Sequence, residues 1–201
     1  MNPHSPKSDK RLRILESAEK VFAQKGFFGA KVADIAEDAG VADGTIYLYF
    51  RSKDDLLISL FEVQMERVHE ELERELAGAS DPEDRLRRFM RAYVRLIQQN
   101  PHAAEVITIE LRQSEKFMKQ YSNPRFAEFL KRLAAIIDDG QQQGSFRKEL
   151  PAPIVARALF GALDELALWW VSGRGEKLDL DKAAGWLGDL MLQGLVTKSD
   201  R

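Results

Sequence analysis

The 201-residue chain is expected to be all-α: a small three-helix module containing a helix-turn-helix, followed by a larger helical domain. Three observations carry that expectation. Apolar residues recur at i, i+3, i+4 and i+7 along most of the chain, Gly, Asn and Pro punctuate these stripes at helix-length intervals, and no run shows a convincing two-residue strand period.

The first stripe is Leu15, Ala18 and Phe22, bounded by Ser8 or Asp9 as caps and by Gly26, which predicts a helix over about 9–25. Val32, Ile35, Ala36 and Ala39 predict a second, shorter helix that Gly40 ends, with Val41 plugging the turn. In the third, Ile46 and Phe50 lie four apart and face inward. Asp43, Gly44, Thr45, Tyr47, Leu48 and Tyr49 are left around its start and outer faces. Two short helices joined by a Gly-containing turn form a helix-turn-helix.

The outer chemistry of that third helix suits the major groove of double-stranded DNA. Thr45 offers a hydroxyl and a methyl, Gly44 lets the backbone approach closely, and the Tyr47 and Tyr49 hydroxyls reach phosphate or base edges. Lys53 reads as a phosphate anchor, and Lys7, Lys10, Arg11 and Arg13 as a basic arm whose contacts weaken with salt. Asp43 has two readings, as the cap of the third helix, which is preferred, or as an acceptor from a cytosine amino group.

Here a resemblance becomes specific. The helix Arg11–Phe22, the run Val41-Ala-Asp-Gly-Thr-Ile-Tyr-Leu-Tyr-Phe50 and Lys53 resemble the DNA-binding domain of TetR-family repressors. The resemblance implies that Thr45, Tyr47, Tyr49 and Lys53 contact DNA, with Asp43 and Gly44 at the helix start and Ile46 and Phe50 in the core. It divides the chain into a DNA-binding domain, 1–53, and a helical ligand-binding and dimerisation domain, 54–201.

Composition agrees with a soluble, cytoplasmic protein. With 44% hydrophobic residues the chain can bury a core, zero Cys excludes disulfides and thiolate metal sites, and no apolar run suggests a leader or a membrane span. The net charge of −2 hides an asymmetry, because residues 1–53 carry nine Lys/Arg against seven Asp/Glu. Attraction to DNA must therefore be local.

No flexible linker opens the second domain. Ser52-Lys-Asp-Asp55 reads as a capping box, and Leu57, Phe61, Met65, Val68, Leu72 and Leu76 continue one stripe to Gly78. A single helix thus joins the two domains. Asp81-Pro82 opens the next, with Leu86, Phe89, Met90, Tyr93, Val94 and Ile97 inward and Asn100-Pro101 at its close. Further helices are expected over about 102–113, 115–121, 124 to 140 or 144, 152–172 and 181–197.

The run from Ala152 to Val171 is apolar nearly all round and needs cover on more than one side. One face meets the domain core, the other a second subunit, and the last helix, with Leu187, Gly188, Leu190, Met191, Gly194 and Leu195, completes that interface. TetR-like proteins dimerise through their last two helices, so pattern and resemblance coincide in a homodimer.

The second domain also resembles the FadR-like, fatty-acid-degradation branch of the family. The residues that carry this are Val41–Phe50, Asp55-Leu-Leu-Ile-Ser-Leu-Phe61, Ile109-Glu-Leu-Arg-Gln-Ser114, and Phe160-Gly-Ala-Leu-Asp-Glu165 followed by Trp170-Val171. The resemblance implies a repressor released from a pseudo-palindromic operator by long-chain acyl-CoA, with no cofactor. Phe89, Tyr93, Leu96, Ile107, Leu111, Phe126, Leu130, Phe160 and Leu163 are the candidate lining of an acyl tunnel. Burying about fifteen methylenes at ~0.8 kcal/mol each supplies on the order of 12 kcal/mol before association costs. Arg112 is the first candidate for the CoA phosphates, with Lys116, Lys119, Arg125, Lys131 and Arg132 behind it. Each of these residues taken singly reads more readily as plain core or solvated charge than as a ligand contact.

Asp164 and Glu165 interrupt the apolar run, pairing with Arg112 or Arg157 or facing solvent. His4, His69 and His102 are too dispersed for a metal site, and no nucleophile elbow, Walker loop or dinucleotide fingerprint is present, so an enzyme is not expected. Two alternatives stay open: a TetR-type repressor of another apolar ligand, such as a drug or free fatty acid, and an acyl-CoA-binding carrier or enzyme with an incidental helix-turn-helix.

Overall fold

A computed structural model of the chain describes residues 6–174 and 178–197, with side chains from Asp9 onward. His4 and the Lys7 side chain lie outside the described set. Ten α-helices appear among the described residues: α1 Pro6–Gly29, α2 Val32–Asp38, α3 Asp43–Ile46, α4 Lys53–Leu76, α5 Pro82–Gln99, α6 Pro101–Thr108, α7 Glu115–Lys119, α8 Pro124–Gln142, α9 Ala152–Val171 and α10 Leu180–Leu195. A 3₁₀ turn, Glu110–Gln113, follows α6, and one isolated antiparallel bridge pairs Phe146 with Val196.

The helix ends show the causes of the boundaries. Asp81 accepts from the Asp84 amide with Pro82 at the first helical position of α5. Ser114 accepts from the Phe117 amide at the start of α7, and Asn123 accepts from the Phe126 amide at the start of α8. Ser52 Oγ accepts from Asp55 N at 3.1 Å. Asp55 returns its carboxylate to the Arg51 amide rather than to Ser52, a variant of the expected capping box.

Three boundaries differ from expectation, and a fourth chooses between two. α1 begins at Pro6, so Ser8 and Asp9 lie within its first turn instead of capping it. Its Gly26 has φ 71° and ψ 161°, and the helix resumes beyond that break to Gly29. The stretch 102–113 is divided, because helical bonding yields to the tighter turn at Glu110. Of the two ends expected for α8, Gly140 and Gly144, the structure takes the later: the helix runs through Gly140, whose missing side chain leaves room for the buried Phe146 ring against its backbone, and the left-handed Gly144 follows the helix end.

The Cα packing separates two compact units. The first holds the residues up to Gln64 together with Pro101–Ser122; the second holds Met65–Asn100 and the residues from Asn123 onward. In the first, α1 packs on α2, on α6 and on the 3₁₀ turn, around Ile14, Leu15, Ala18, Phe22, Ile35, Ile46 and Phe50. In the second, α5, α8, α9 and α10 pack pairwise around Phe89, Phe129, Leu133, Ile137, Leu159 and Leu163. α4 supplies Lys53–Gln64 to one unit and Met65–Leu76 to the other.

Candidate DNA-binding face and ligand-binding core

The helix-turn-helix is fixed from beneath by apolar packing and from the side by charge. Ile46 and Phe50 are buried to 1% exposure, which turns the rest of the segment outward. Lys20 pairs with Asp38, and Lys25 with Asp34 at 3.0 Å, tying α1 to α2. Asp34 is held below the ordinary carboxylate range by the Lys31 backbone amide and then by Lys25; Asp38 is held down by Lys20 and then Ser17. The Arg11 guanidinium lies 5.2 Å from the centre of the Phe50 ring, bracing the end of the α3 segment against α1.

α3 is shorter than the sequence suggests. Only Asp43–Ile46 is α-helical, and Tyr47, Leu48 and Tyr49 follow in tight turns, with Leu48 N bonded to Thr45 O and Tyr49 N to Ile46 O. Asp43 is not the cap. Ala42 holds that position and Asp43 is the first helical residue, where its charge still suits the helix N-terminus. Tyr47 and Leu48 are 58% and 77% exposed, Asp43 and Gly44 are exposed, and Thr45 and Tyr49 are half-buried. Lys10 is half-buried on α1.

Lys53 is where geometry departs furthest from the sequence reading. Its ammonium donates to the carbonyl of Phe27 at 2.5 Å and that of Ala30 at 3.1 Å, with Phe28 O at 3.4 Å, and stands 4.6 Å from the centre of the Phe27 ring. An ammonium has three donors, and these carbonyls use them. Glu110, not singled out in the sequence, is the counterpart. Its side chain is buried, and Oε2 accepts from the Phe27 amide at 2.5 Å. The available signal was an acidic residue between Ile109 and Leu111 in an apolar run. Nearby, burial and then the Glu110 charge push the Glu105 carboxyl upward, with His102 opposing.

In the second unit the ligand candidates Phe89, Tyr93, Phe126 and Phe160 meet in one aromatic cluster. Its centre is Phe129, which the sequence reading placed only on α8. Ring centroids lie 5.2 Å apart for Phe89–Phe129, 4.8 Å for Phe126–Phe160 and 6.2 Å for Tyr93–Phe160. Leu130 and Leu163 are buried in the same unit, while Leu96 is half-buried on α5. Ile107, half-buried, Leu111, buried, and Arg112, exposed, belong to the first unit. Two open clefts of about 620 and 430 Å³ lie elsewhere in the second unit, sharing Gln193, Val196 and Thr197, and neither includes a residue of the cluster.

Among the cationic candidates, Arg125 pairs with Glu66 at 3.5 Å, Arg132 with Glu73 and Glu128, and Lys119 with Glu115. Lys116 and Lys131 are exposed, and on α9 Asp164 is half-buried and Glu165 exposed. Of the residues in the two segments expected at a subunit interface, Ile154 and Trp169 on α9 and Leu190 on α10 are exposed, and Trp186 joins them. Gly188 and Leu195 are instead buried within their own chain, Gly188 against Met90. Among the described residues no His/Asp/Glu group is arranged to hold a metal ion, and no helix is long and apolar enough to cross a membrane.

Comparison with known proteins matches both parts of the chain. Residues 14–60 match the family model described as bacterial regulatory proteins, tetR family, and residues 61–194 that of the YsiA-like protein, C-terminal region. The chain is 32% identical to the fatty acid metabolism regulator protein of Bacillus subtilis, across 96% of this chain and 98% of that protein. The structure of the Bacillus subtilis transcriptional regulator FadR in complex with stearoyl-CoA superposes with a TM-score of 0.85, at 32% identity over 91% of this chain and 98% of that one. That of the fatty acid degradation regulator FadR of Bacillus halodurans gives 0.86, at 34% identity over 94% and 98%.

Proposed function

The chain belongs to the TetR family of bacterial regulatory proteins, and from that premise we propose that it is a dimeric repressor of fatty-acid degradation genes, released from its operator by long-chain acyl-CoA. Two findings support the reading: the near-complete alignment with a fatty acid metabolism regulator, and the superposition on a FadR structure that holds stearoyl-CoA. An acyl chain needs an apolar environment that can rearrange around it, and the Phe89–Phe126–Phe129–Phe160 cluster has that chemistry.

Residues 1–53 form the DNA-binding domain and 54–201 the domain for ligand and partner. Thr45, Tyr47, Leu48 and Tyr49 read the major groove, Asp43 and Gly44 set the helix start against the backbone, and Lys10 and Arg11 add phosphate contacts. Lys53 supports this face by bracing the turn after α1. Phe89, Tyr93, Leu96, Phe126, Leu130, Phe160 and Leu163, all of the second unit, receive the acyl chain. The exposed apolar side chains of α9 and α10, with Trp186 and Leu190 one turn apart, are covered by the same helices of a second subunit. Two recognition segments then address half-sites about 34–36 Å apart or a multiple of that spacing.

Release is a shift between two states. The free dimer holds the half-site spacing, and acyl-CoA favours a conformer in which α4 tilts and the spacing no longer fits. The test is a titration of the dimer on its own upstream promoter DNA at fixed salt, with stearoyl-CoA or free stearate. Release by the thioester alone supports the reading. Retention under both ligands discards the fatty-acid effector, and release by stearate alone assigns a different apolar ligand.

A further inference from the structure

The turn between α1 and α2 is gripped at both ends by side chains from distant parts of the sequence. After the break at Gly26, whose φ of 71° with ψ of 161° is open in practice only to glycine, the Ala30 amide bonds to the Gly26 carbonyl at 3.0 Å. Residues 27–30 therefore form one free-standing helical turn. The Glu110 carboxylate sits on the Phe27 amide at its beginning, and the Lys53 ammonium on the Phe27 and Ala30 carbonyls, which point toward its C-terminal side. Negative charge at the N-terminus and positive charge at the C-terminus oppose the turn dipole, so both contacts are charge-assisted. Phe27 is 5% and Glu110 7% exposed, which shields the contact from water. A carboxylate so buried is costly unless its bonds offset the loss of hydration.

The carboxylate also has a defined origin. Glu110 begins the 3₁₀ turn that Ser114 follows, and Ser114 Oγ donates to Asp54 Oδ1 at 2.7 Å on the first turn of α4. Phe117 meets Phe61 edge-on, and the Tyr121 hydroxyl donates to Glu62. Residues 110–121 are thereby anchored to α4 while Glu110 reaches back to the exit of α1.

We propose that Glu110 is a positioning residue for operator recognition: by holding the Phe27 amide it fixes the turn from which α2, and with it the Asp43–Tyr49 reading segment, leaves α1. Base readout depends on that direction to a fraction of an ångström, whereas sequence-independent binding rests on phosphate charge and tolerates looser placement. The inference needs only the DNA-binding role of the chain and stands whether or not acyl-CoA is the effector.

The test compares wild type, Glu110→Ala, Glu110→Gln and Glu110→Asp as full chains, on the upstream promoter DNA and on unrelated DNA of equal length, well below each Tm. Glu110→Ala is expected to weaken promoter binding about tenfold or more, the order of one lost charged hydrogen bond, with unrelated DNA little changed. Glu110→Gln keeps an acceptor and restores most of the affinity, and the Phe27 amide regains its protection from hydrogen exchange. Should Glu110→Ala fail to fold, Glu110→Asp, which withdraws the carboxylate by one methylene, is expected to show the same selective loss in smaller measure. Promoter affinity equal to wild type in the folded variants, or equal losses on both DNAs, overturns the proposal.

Discussion

Replacing Lys53 with methionine separates two roles for one ammonium. Methionine keeps an unbranched apolar chain beside the Phe27 ring but removes the charge that meets the Phe27 and Ala30 carbonyls at 2.5 and 3.1 Å. Hydrogen bonds to charged groups contribute roughly 1.5–3 kcal/mol each, and half-exposure here lets water replace part of that loss. The expected cost is about 2 kcal/mol, or a fall in Tm of about 4–8 °C for a chain of this size. A phosphate anchor behaves differently. Its removal would lower the slope of log K against log salt by about 0.9 per protomer while leaving Tm alone. Circular dichroism melts and fluorescence-anisotropy titrations on promoter DNA between 50 and 200 mM salt read both quantities. The bracing role predicts a lower Tm and weaker binding at every salt concentration with an unchanged slope. A shallower slope at wild-type Tm would refute it.

Four further outcomes are expected. Tyr47→Ala, at a side chain 58% exposed, abolishes promoter selectivity but leaves Tm and stearoyl-CoA affinity near wild type, as parallel melts and ligand titrations will read. In Gly140→Ala the added Cβ would lie 2.5 and 2.7 Å from Cε2 and Cγ of Phe146, and nearer still to Cδ2. The buried ring must move as a body, at a cost of about 1–3 kcal/mol in chemical denaturation. Asp81 is held below the ordinary carboxylate range by the Asp84 amide and then by Ser80. Because its folded pKa is depressed, its contribution is present at neutral pH and lost as pH falls through that folded value; the Tm gap between wild type and Asp81→Ala should be open at pH 7 and close in acid. Trp186→Glu places a charge on the exposed apolar face of α10 and should shift the protein from dimer to monomer in sedimentation velocity.

The order of helices was readable because their signals are local. Asp81-Pro82 opens α5 as its residue types imply, and the starts expected near 115 and 124 lie where Ser114 and Asn123 cap α7 and α8. The inward faces of Ile46 and Phe50 followed from spacing alone. What escaped the sequence depends on distant partners. Gly26 ends a helix in any local reading, and the resumed turn exists with a carboxylate 83 residues away on the Phe27 amide. Lys53, next to a recognition segment, reads as a phosphate contact by residue type, and its bonds to carbonyls 23 and 26 residues before it have no local signal. Asp43 resembles a cap by residue type, but the chain enters α3 one residue earlier, at Ala42. Phe129 was one aromatic among several on α8, and only packing from α5 and α9 makes it the centre of the cluster. Gly188 and Leu195 looked like interface residues by pattern, whereas Met90 and the chain's own core claim them.

The central claim is that operator and acyl-CoA select different states of one dimer, and linkage gives it a direct test. If stearoyl-CoA weakens operator binding by some factor, operator DNA must weaken stearoyl-CoA binding by the same factor. The measurement is the stearoyl-CoA dissociation constant of the free dimer and of the dimer saturated with promoter DNA, at one salt concentration. The account predicts a weaker constant on DNA, by a factor equal to that seen in promoter release; equal constants with and without DNA would contradict it.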